Sequence, residues 1–149
     1  MSLIVEYHTE LQAQVLRWCV EHSVQVMQEY RLPDGHVADI VTIDDNNIIT
    51  IIEVKTVLSH SLMDIVIKKY RWYCHELYIA APMSELNRMS AGTGVINWIP
   101  KSPILGTIGL ANGRATIVRR AIRRAIPALD EHYLTTRLQA CFSTKHHAL

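Results

Sequence analysis

Three ionisable residues, Asp39, Glu53 and Lys55, stand inside two otherwise apolar, β-branched stretches of the chain, Val37 to Ile43 and Ile48 to Val57. A carboxylate taken out of water without a partner is costly, so such residues need either a cation beside them or access to a metal ion and water. Carboxylate oxygens are hard donors suited to Mg²⁺ or Mn²⁺, and a neighbouring ammonium can neutralise charge that develops on a bound substrate. The same residues also suit a surface ion pair between Glu53 and Lys55, with Asp39 guarding a strand start and no chemistry at all.

What positions them decides between the two. The stretches are joined by Asp44-Asp45-Asn46-Asn47 and read as a β-hairpin. Side chains alternate between faces of a strand, so Asp39 and Glu53 stand opposite one another only in the register that also pairs Asp44 with Ile48. That register leaves Asp45-Asn46-Asn47 as a three-residue loop, with Asn47 in the left-handed conformation. A loop made of all four residues would put the carboxylates on opposite faces. In the first register Lys55 joins them on one surface.

Ahead of the hairpin, His8 to Glu21 reads as a helix with Leu11, Val15, Trp18, Cys19 and His22 in one buried stripe and Thr9 as its cap. Val24 to Leu32 alternates as a strand before a turn at Pro33-Asp34-Gly35. After Lys55, Ser59 to Ser61 caps a second amphipathic helix marked by Leu62, Ile65, Val66, Lys69, Tyr70, Tyr73 and Cys74. Glu76 to Ala81 is a short apolar strand, expected to lie parallel to the strand carrying Glu53 through a right-handed crossover. Ser84 to Ser90 suits a short helix and Ala91 to Gly94 a loop. Gly92-Thr93-Gly94 lacks the ending and setting of a phosphate loop. The run Val95 to Trp98, followed by Pro100 and Pro103, is too broken to assign. Gly106 to Leu110 and Arg114 to Arg119 form a second hairpin about Asn112-Gly113 at a sheet edge. Pro127 precedes a closing helix from Ala128 to Phe142, and Ser143 to Leu149 reads as a frayed tail. His146-His147 in that tail has no third metal ligand nearby in sequence.

At 149 residues and 49% hydrophobic content, the chain is of a size to bury one core as a single α/β domain, residues 1–149. Lys and Arg number 15 against 14 Asp and Glu, so overall charge does not announce a nucleic-acid binder, and any basic surface must come from clustering. Cys19, Cys74 and Cys141 show no paired spacing, which points to a reducing cytoplasm rather than a disulfide framework or zinc ribbon. No apolar run of signal-peptide or membrane-spanning length is present, so neither secretion nor a membrane partner is expected.

The arrangement of Asp39, thirteen intervening residues and Glu53-Val54-Lys55 resembles the PD-(D/E)xK nuclease superfamily. The chain is most similar to a small bacterial group of DNA-repair endonucleases called MmcB-like, from about Leu11 to Arg124. The carrying residues are Ala38-Asp39-Ile40-Val41, Ile51-Ile52-Glu53-Val54-Lys55-Thr56, and Tyr70-Arg71-Trp72-Tyr73-Cys74 running into Leu77-Tyr78-Ile79-Ala80-Ala81-Pro82. The Pro-Asp pair for which the motif is named stands at Pro33-Asp34, too far from the strand, so Asp39 takes the ligand's place.

The resemblance implies a restriction-endonuclease-like fold, a mixed sheet flanked by helices with an αβββαβ core. It further implies hydrolysis of phosphodiester bonds in DNA with Mg²⁺ or Mn²⁺, in repair or recombination. Asp39 and Glu53 would hold the metal, with the carbonyl of Ile52 or of the peptide between Glu53 and Lys55 completing coordination, and Lys55 would position the attacking water. Many nucleases of this kind bring an acid from the first helix, here Glu10 with Glu6 as the fallback; a Glu that merely complements the helix dipole is the plainer alternative. The second helix would turn Lys68 and Lys69 to the phosphate backbone, unless these are a solvated face. Arg119, Arg120, Arg123 and Arg124 form the densest basic cluster and would track phosphates or guard an edge strand. The runner-up function is a nuclease-fold module without turnover that binds nucleic acid or a partner protein. DNA against RNA, strandedness and homodimer formation are left open.

Overall fold

The structure, a computed structural model, describes residues 3–22, 25–91 and 104–147. Six strands form one mixed sheet in chain order: β1 (Gln25–Arg31), β2 (Val37–Ile43), β3 (Ile49–Val54), β4 (Glu76–Pro82), β5 (Leu105–Ala111) and β6 (Arg114–Arg119). The strands β1, β2 and β3 are antiparallel, β3, β4 and β5 run parallel, and β6 returns antiparallel at the edge. The helices are α1 (Leu3–Glu21), α2 (His60–Tyr70), α3 (Met83–Ala91) and α4 (Ala128–His147), with a 3₁₀ turn at Arg71–Tyr73. The order α1, β1, β2, β3, α2, β4 is the αβββαβ core that the resemblance implies. Among the described residues no helix is long and apolar enough to cross a membrane.

Alternation along the strands divides the core in two. Leu11, Val15 and Cys19 of α1 pack on Ile40, Ile52, Val54 and Ile108, while α2, α3 and α4 cover the other face through residues such as Met63, Val66, Leu86 and Leu134 against Val41, Ile51, Leu77 and Ile79. Both faces of β3 and β4 are thus buried, which is why these strands read as continuous apolar runs. The β2–β3 hairpin has the register that sets position 39 against position 53: Ile40 pairs with Ile52 and Ile43 with Ile49. Its loop closes through the Asp44 N–H donating to Ile48 O (3.2 Å) and the Asn47 N–H to Asp44 O (3.0 Å), with Asn47 at φ 60°. The second hairpin turns at Asn112 and Gly113, both at positive φ.

Several boundaries differ from expectation. Helix α1 starts at Leu3, so Thr9 is an interior residue whose hydroxyl donates to Val5 O, and His22 is exposed rather than part of the buried stripe. Ser59 caps α2 as expected, accepting from the Leu62 N–H, but the buried stripe is Met63, Val66, Ile67 and Tyr70, leaving Ile65 exposed. The helix stops at Tyr70 because the chain tightens into the 3₁₀ turn instead of continuing to Cys74. The closing helix runs on to His147, so residues 143–147 are helical rather than frayed. Residues 92–103, covering most of the expected 91–94 loop and the unassigned run after it, lie outside the described residues, as do the side chains of His146 and His147.

One glycine holds the sheet's centre to its edge. A methyl group at Gly106 would run into the Tyr78 ring and the backbone nitrogen of Ala121. Backbone cannot swing aside as a long side chain can, so Gly106→Ala should cost about 1–3 kcal/mol. An unchanged midpoint on urea unfolding would show that β5 shifts freely to accommodate the methyl.

Candidate active site

The β2–β3 ladder ends at Ile40 and Ile52, one residue short of Asp39 and Glu53. There the Val54 N–H turns to the Asp39 side chain, donating to Oδ2 at 2.8 Å. On the other side, Glu29 of β1 takes φ 50° opposite Asp39, and that pair is missing from an otherwise regular register. A non-glycine residue in this conformation is strained and marks a local break. Gln12 of α1, 7% exposed, fills the break: its Nε2 lies 3.3 Å from Asp39 O, 3.1 Å from Glu29 Oε1 and 3.3 Å from Gln28 Oε1. One turn earlier, His8 Nε2 stands 2.9 Å from Val54 O and 3.6 Å from Asp39 Oδ2. The end of the hairpin therefore opens, and α1 holds it open.

Glu53 sits in that opening at 2% exposure, and its Oε1 has no hydrogen-bond partner. Burial first, and then the hydrogen bond and negative charge of Asp39, push the Glu53 carboxyl up to about 8. The Tyr70 hydroxyl of α2 and the Lys55 ammonium pull in the other direction without prevailing. The Tyr70 hydroxyl donates to Val37 O at 3.1 Å, and burial, followed by the hydrogen bond to Glu53 and the charge of Glu53, holds its phenol far above the ordinary value. Lys55 is half-buried and lies just past the end of β3, which stops at Val54 rather than running on to Val57, with its N–H donating to Ala80 O at 2.9 Å. The turn after it is fixed by Glu85 and Arg88 of α3: the Leu58 N–H donates to Glu85 Oε1 (3.0 Å) and Arg88 Nη2 donates to Leu58 O.

Asp39, Glu53 and Lys55 are thus gathered at the end of β3. Glu10 and Glu6 are exposed on α1, whose side toward Asp39 carries His8 and Gln12 instead. Ile52 is paired on both sides, with Ile40 and Tyr78, and the Val54 carbonyl is taken by His8. Among the described residues there is no group of three or more His, Cys, Asp or Glu able to hold a metal ion. Lys68 is exposed and Lys69 half-buried in the last turn of α2. The arginine cluster is neither a helix nor a full strand. Arg119 ends β6, and the irregular segment behind it turns toward the other ends of the parallel strands, where Arg123 pairs with Glu76 (3.6 Å). Arg124 is structural, donating from its N–H to His75 O (2.9 Å) and from Nη2 to Arg71 O (2.8 Å).

His8, Gln12 and Tyr70 are site neighbours that sequence reasoning missed. The available signal was polar residues at helical spacing from a buried stripe: His8 and Gln12 are one turn apart beside Leu11 and Val15. Tyr70→Phe tests the third. It removes a donor to Val37 O, costing about 1 kcal/mol, and removes a group that draws the Glu53 carboxyl down. The Glu53 titration, followed by NMR of the side-chain carboxyl, should move upward in this variant; no movement would detach Tyr70 from the carboxylate pair.

Comparison with known proteins adds the family. No curated protein matches the chain. A solved structure of a protein of unknown function from Silicibacter pomeroyi superposes with a TM-score of 0.71 at 18% identity, covering 95% of this chain and 89% of that one, which shows a shared fold. A repair endonuclease from Pyrococcus abyssi is a more distant match, with a TM-score of 0.38 at 16% identity over 66% of this chain and 46% of that one. The family described as DNA repair protein MmcB-like matches residues 4–97, the span that holds α1, the opened hairpin, α2 and β4. The chain belongs to the MmcB-like family of DNA repair proteins.

Proposed function

We propose that this protein is a metal-dependent nuclease that hydrolyses phosphodiester bonds in DNA during repair or recombination. The observation that carries the reading is the orphaned, fully buried Glu53 Oε1 beside Asp39. A buried acceptor without a donor suits a cation, and two carboxylates suit Mg²⁺ or Mn²⁺, which keep several waters when few protein ligands are offered. Asp39 and Glu53 would hold the ion, which when bound supplies a polarised phosphate and a water of lowered pKa. The Lys55 ammonium orients that water and neutralises charge on the non-bridging phosphate oxygens. In the step this would support, the water oxygen bonds to phosphorus and gives its proton to solvent, while the ester P–O bond breaks and the leaving oxygen takes a proton from solvent. His8 and Gln12 act on the site by fixing both sides of Asp39: Gln12 fills the break between β1 and β2, and His8 holds the Val54 carbonyl of β3.

The plainer reading is a nuclease-fold module that binds nucleic acid or a partner without turnover; it draws on the two carboxylates having no third His, Cys, Asp or Glu grouped with them among the described residues. Incubating the protein with linear, nicked, branched and single-stranded DNA, and with RNA, in Mg²⁺, Mn²⁺ or chelator separates the two. Metal-dependent products that vanish in Asp39→Ala and form more slowly in Lys55→Ala support the nuclease; binding without products supports the module. If Lys68, Lys69, Arg119, Arg120 and Arg123 contact phosphates, neutralising them should weaken DNA binding for all sequences and flatten its salt dependence. Arg124 belongs in that set only if its loss does so without unfolding the protein, since its guanidinium ties the irregular segment after β6 to Arg71.

A further inference from the structure

A second concavity lies on the α1 face of the sheet, away from the end that carries Asp39 and Lys55. Helix α1 stops at Glu21, so the first residues of β3 and β4 are left without a helix above them. The result is a pit of about 180 Å³ with Thr50, Ile52 and Tyr78 in its floor, Trp18 and His22 on one wall, and Arg120 and Arg123 on the other. At about 30 Å³ per water this is room for about six waters, enough for one planar ring system and too little for a large ligand.

The basic wall is built, not loose. The Ala121 N–H bonds the Tyr78 hydroxyl, the Ile122 N–H donates to Ile104 O (3.3 Å), and the Arg124 N–H donates to His75 O (2.9 Å). These tethers turn Arg124 away toward Arg71 and leave Arg120 and Arg123 lining the pit. Two carboxylates also line it, but both are engaged. Asp44 Oδ1 accepts the N–H groups of Asn46 (2.9 Å) and Ile48 (3.0 Å), and Glu76 Oε2 faces Arg123 at 3.6 Å. Arg120 is exposed and forms no ion pair among the described residues; with Asp44 still charged the lining is neutral overall, and the Arg120 guanidinium is the cation in it that no carboxylate contacts. Opposite it the Trp18 ring is held by His22, centroid to centroid 4.5 Å, with His22 Nδ1 2.7 Å from Trp18 O.

A fixed indole, a floor that mixes hydroxyls with methyl groups, and a guanidinium free to pair make one chemical demand: a flat heteroaromatic body with a phosphate attached. We propose that this pit is a nucleotide subsite, in which one unstacked base lies against Trp18 and its phosphate meets Arg120 and Arg123. Stacking of a base on an aromatic side chain is worth about 1–3 kcal/mol and tolerates every base. The inference rests on the nucleic-acid reading of the chain but not on the carboxylate pair, because Glu53 points to the α2 face. The nucleotide's source is either a free deoxynucleotide or an unpaired end of a DNA strand.

The test is calorimetric titration of the full chain with dAMP, deoxyadenosine, inorganic phosphate, a blunt duplex and the same duplex with an unpaired overhang. Saturable dAMP binding is expected, at least tenfold tighter than deoxyadenosine or phosphate alone. Thr50→Phe, which fills the floor, and Arg120→Gln, an exposed change that leaves the core untouched, should each weaken it about tenfold or more, while Glu53→Gln leaves it unaltered. Preference for the overhang over both dAMP and the blunt duplex assigns the pit to a strand end, and the reverse assigns it to a free nucleotide. Absence of saturable dAMP binding, or equal affinity in Arg120→Gln and the parent, overturns the proposal; loss of binding in Glu53→Gln does so too, by moving the nucleotide to the carboxylates. Retained dAMP binding in a protein that cuts no substrate would sink the nuclease reading and leave this one standing.

Discussion

Glu53→Gln is expected to abolish metal-dependent cleavage, a loss of roughly a thousandfold or more, and to make the metal-free protein more stable at alkaline pH. The stability gain follows from proton linkage. Glu53 keeps its proton up to about 8 in the folded chain, from an ordinary value of 4.5. Between those values the folded state binds more protons than the unfolded state, so stability is greatest below the window and falls as pH rises through it. Gln keeps the shape and carries no charge. Its unfolding free energy should match the parent's near pH 5 and exceed it above pH 8, by on the order of a few kcal/mol at about 1.4 kcal/mol per pH unit, with a melting temperature raised accordingly. A structural ion pair to Lys55 predicts the opposite, a variant less stable than the parent at pH 8 with its activity intact. Thermal melts at the two pH values decide between them.

The second large effect is competition between proton and metal. If Glu53 holds the ion, a divalent metal would have to displace its proton below about 8, so Mn²⁺ affinity should rise about tenfold per pH unit toward that value and level off beyond it. Stabilisation by a fixed Mn²⁺ concentration should follow the same course and disappear with chelator. Asp39→Ala should lose both the stabilisation and its pH dependence. Lys55→Ala should keep the metal response yet slow cleavage. A pH-independent response in the parent would remove Glu53 from the coordination sphere.

The hairpin was legible because three constraints agreed: β-branched runs on both sides, a loop whose Asn47 accepts positive φ, and the need of two carboxylates to share a surface. The α2 cap at Ser59 and the Asn112-Gly113 turn were legible for the same local reason. The helical neighbours of the site were not. An acid in α1 drew attention to Glu10, whereas the side of α1 that meets Asp39 is fixed by where the sheet breaks, and that break comes from the Glu29 backbone. Tyr70 reads as one more buried position in α2 until the structure sets it against Glu53. The arginine cluster could not be placed because its course depends on long-range tethers to Ile104 and His75, which sequence periodicity does not report.

The three-residue loop of the β2–β3 hairpin also bears on how the chain folds. Contacts closed by short loops form fast, whereas parallel pairing of β3 with β4 must wait for the chain to cross through α2. Asp39 and Glu53 therefore meet early, while water still solvates both, and Glu53 is dehydrated only when α2 brings Tyr70 down on it. Divalent ions offered during refolding would find the carboxylates paired but open, so Mn²⁺ should engage them before the last, slow step of folding rather than after it.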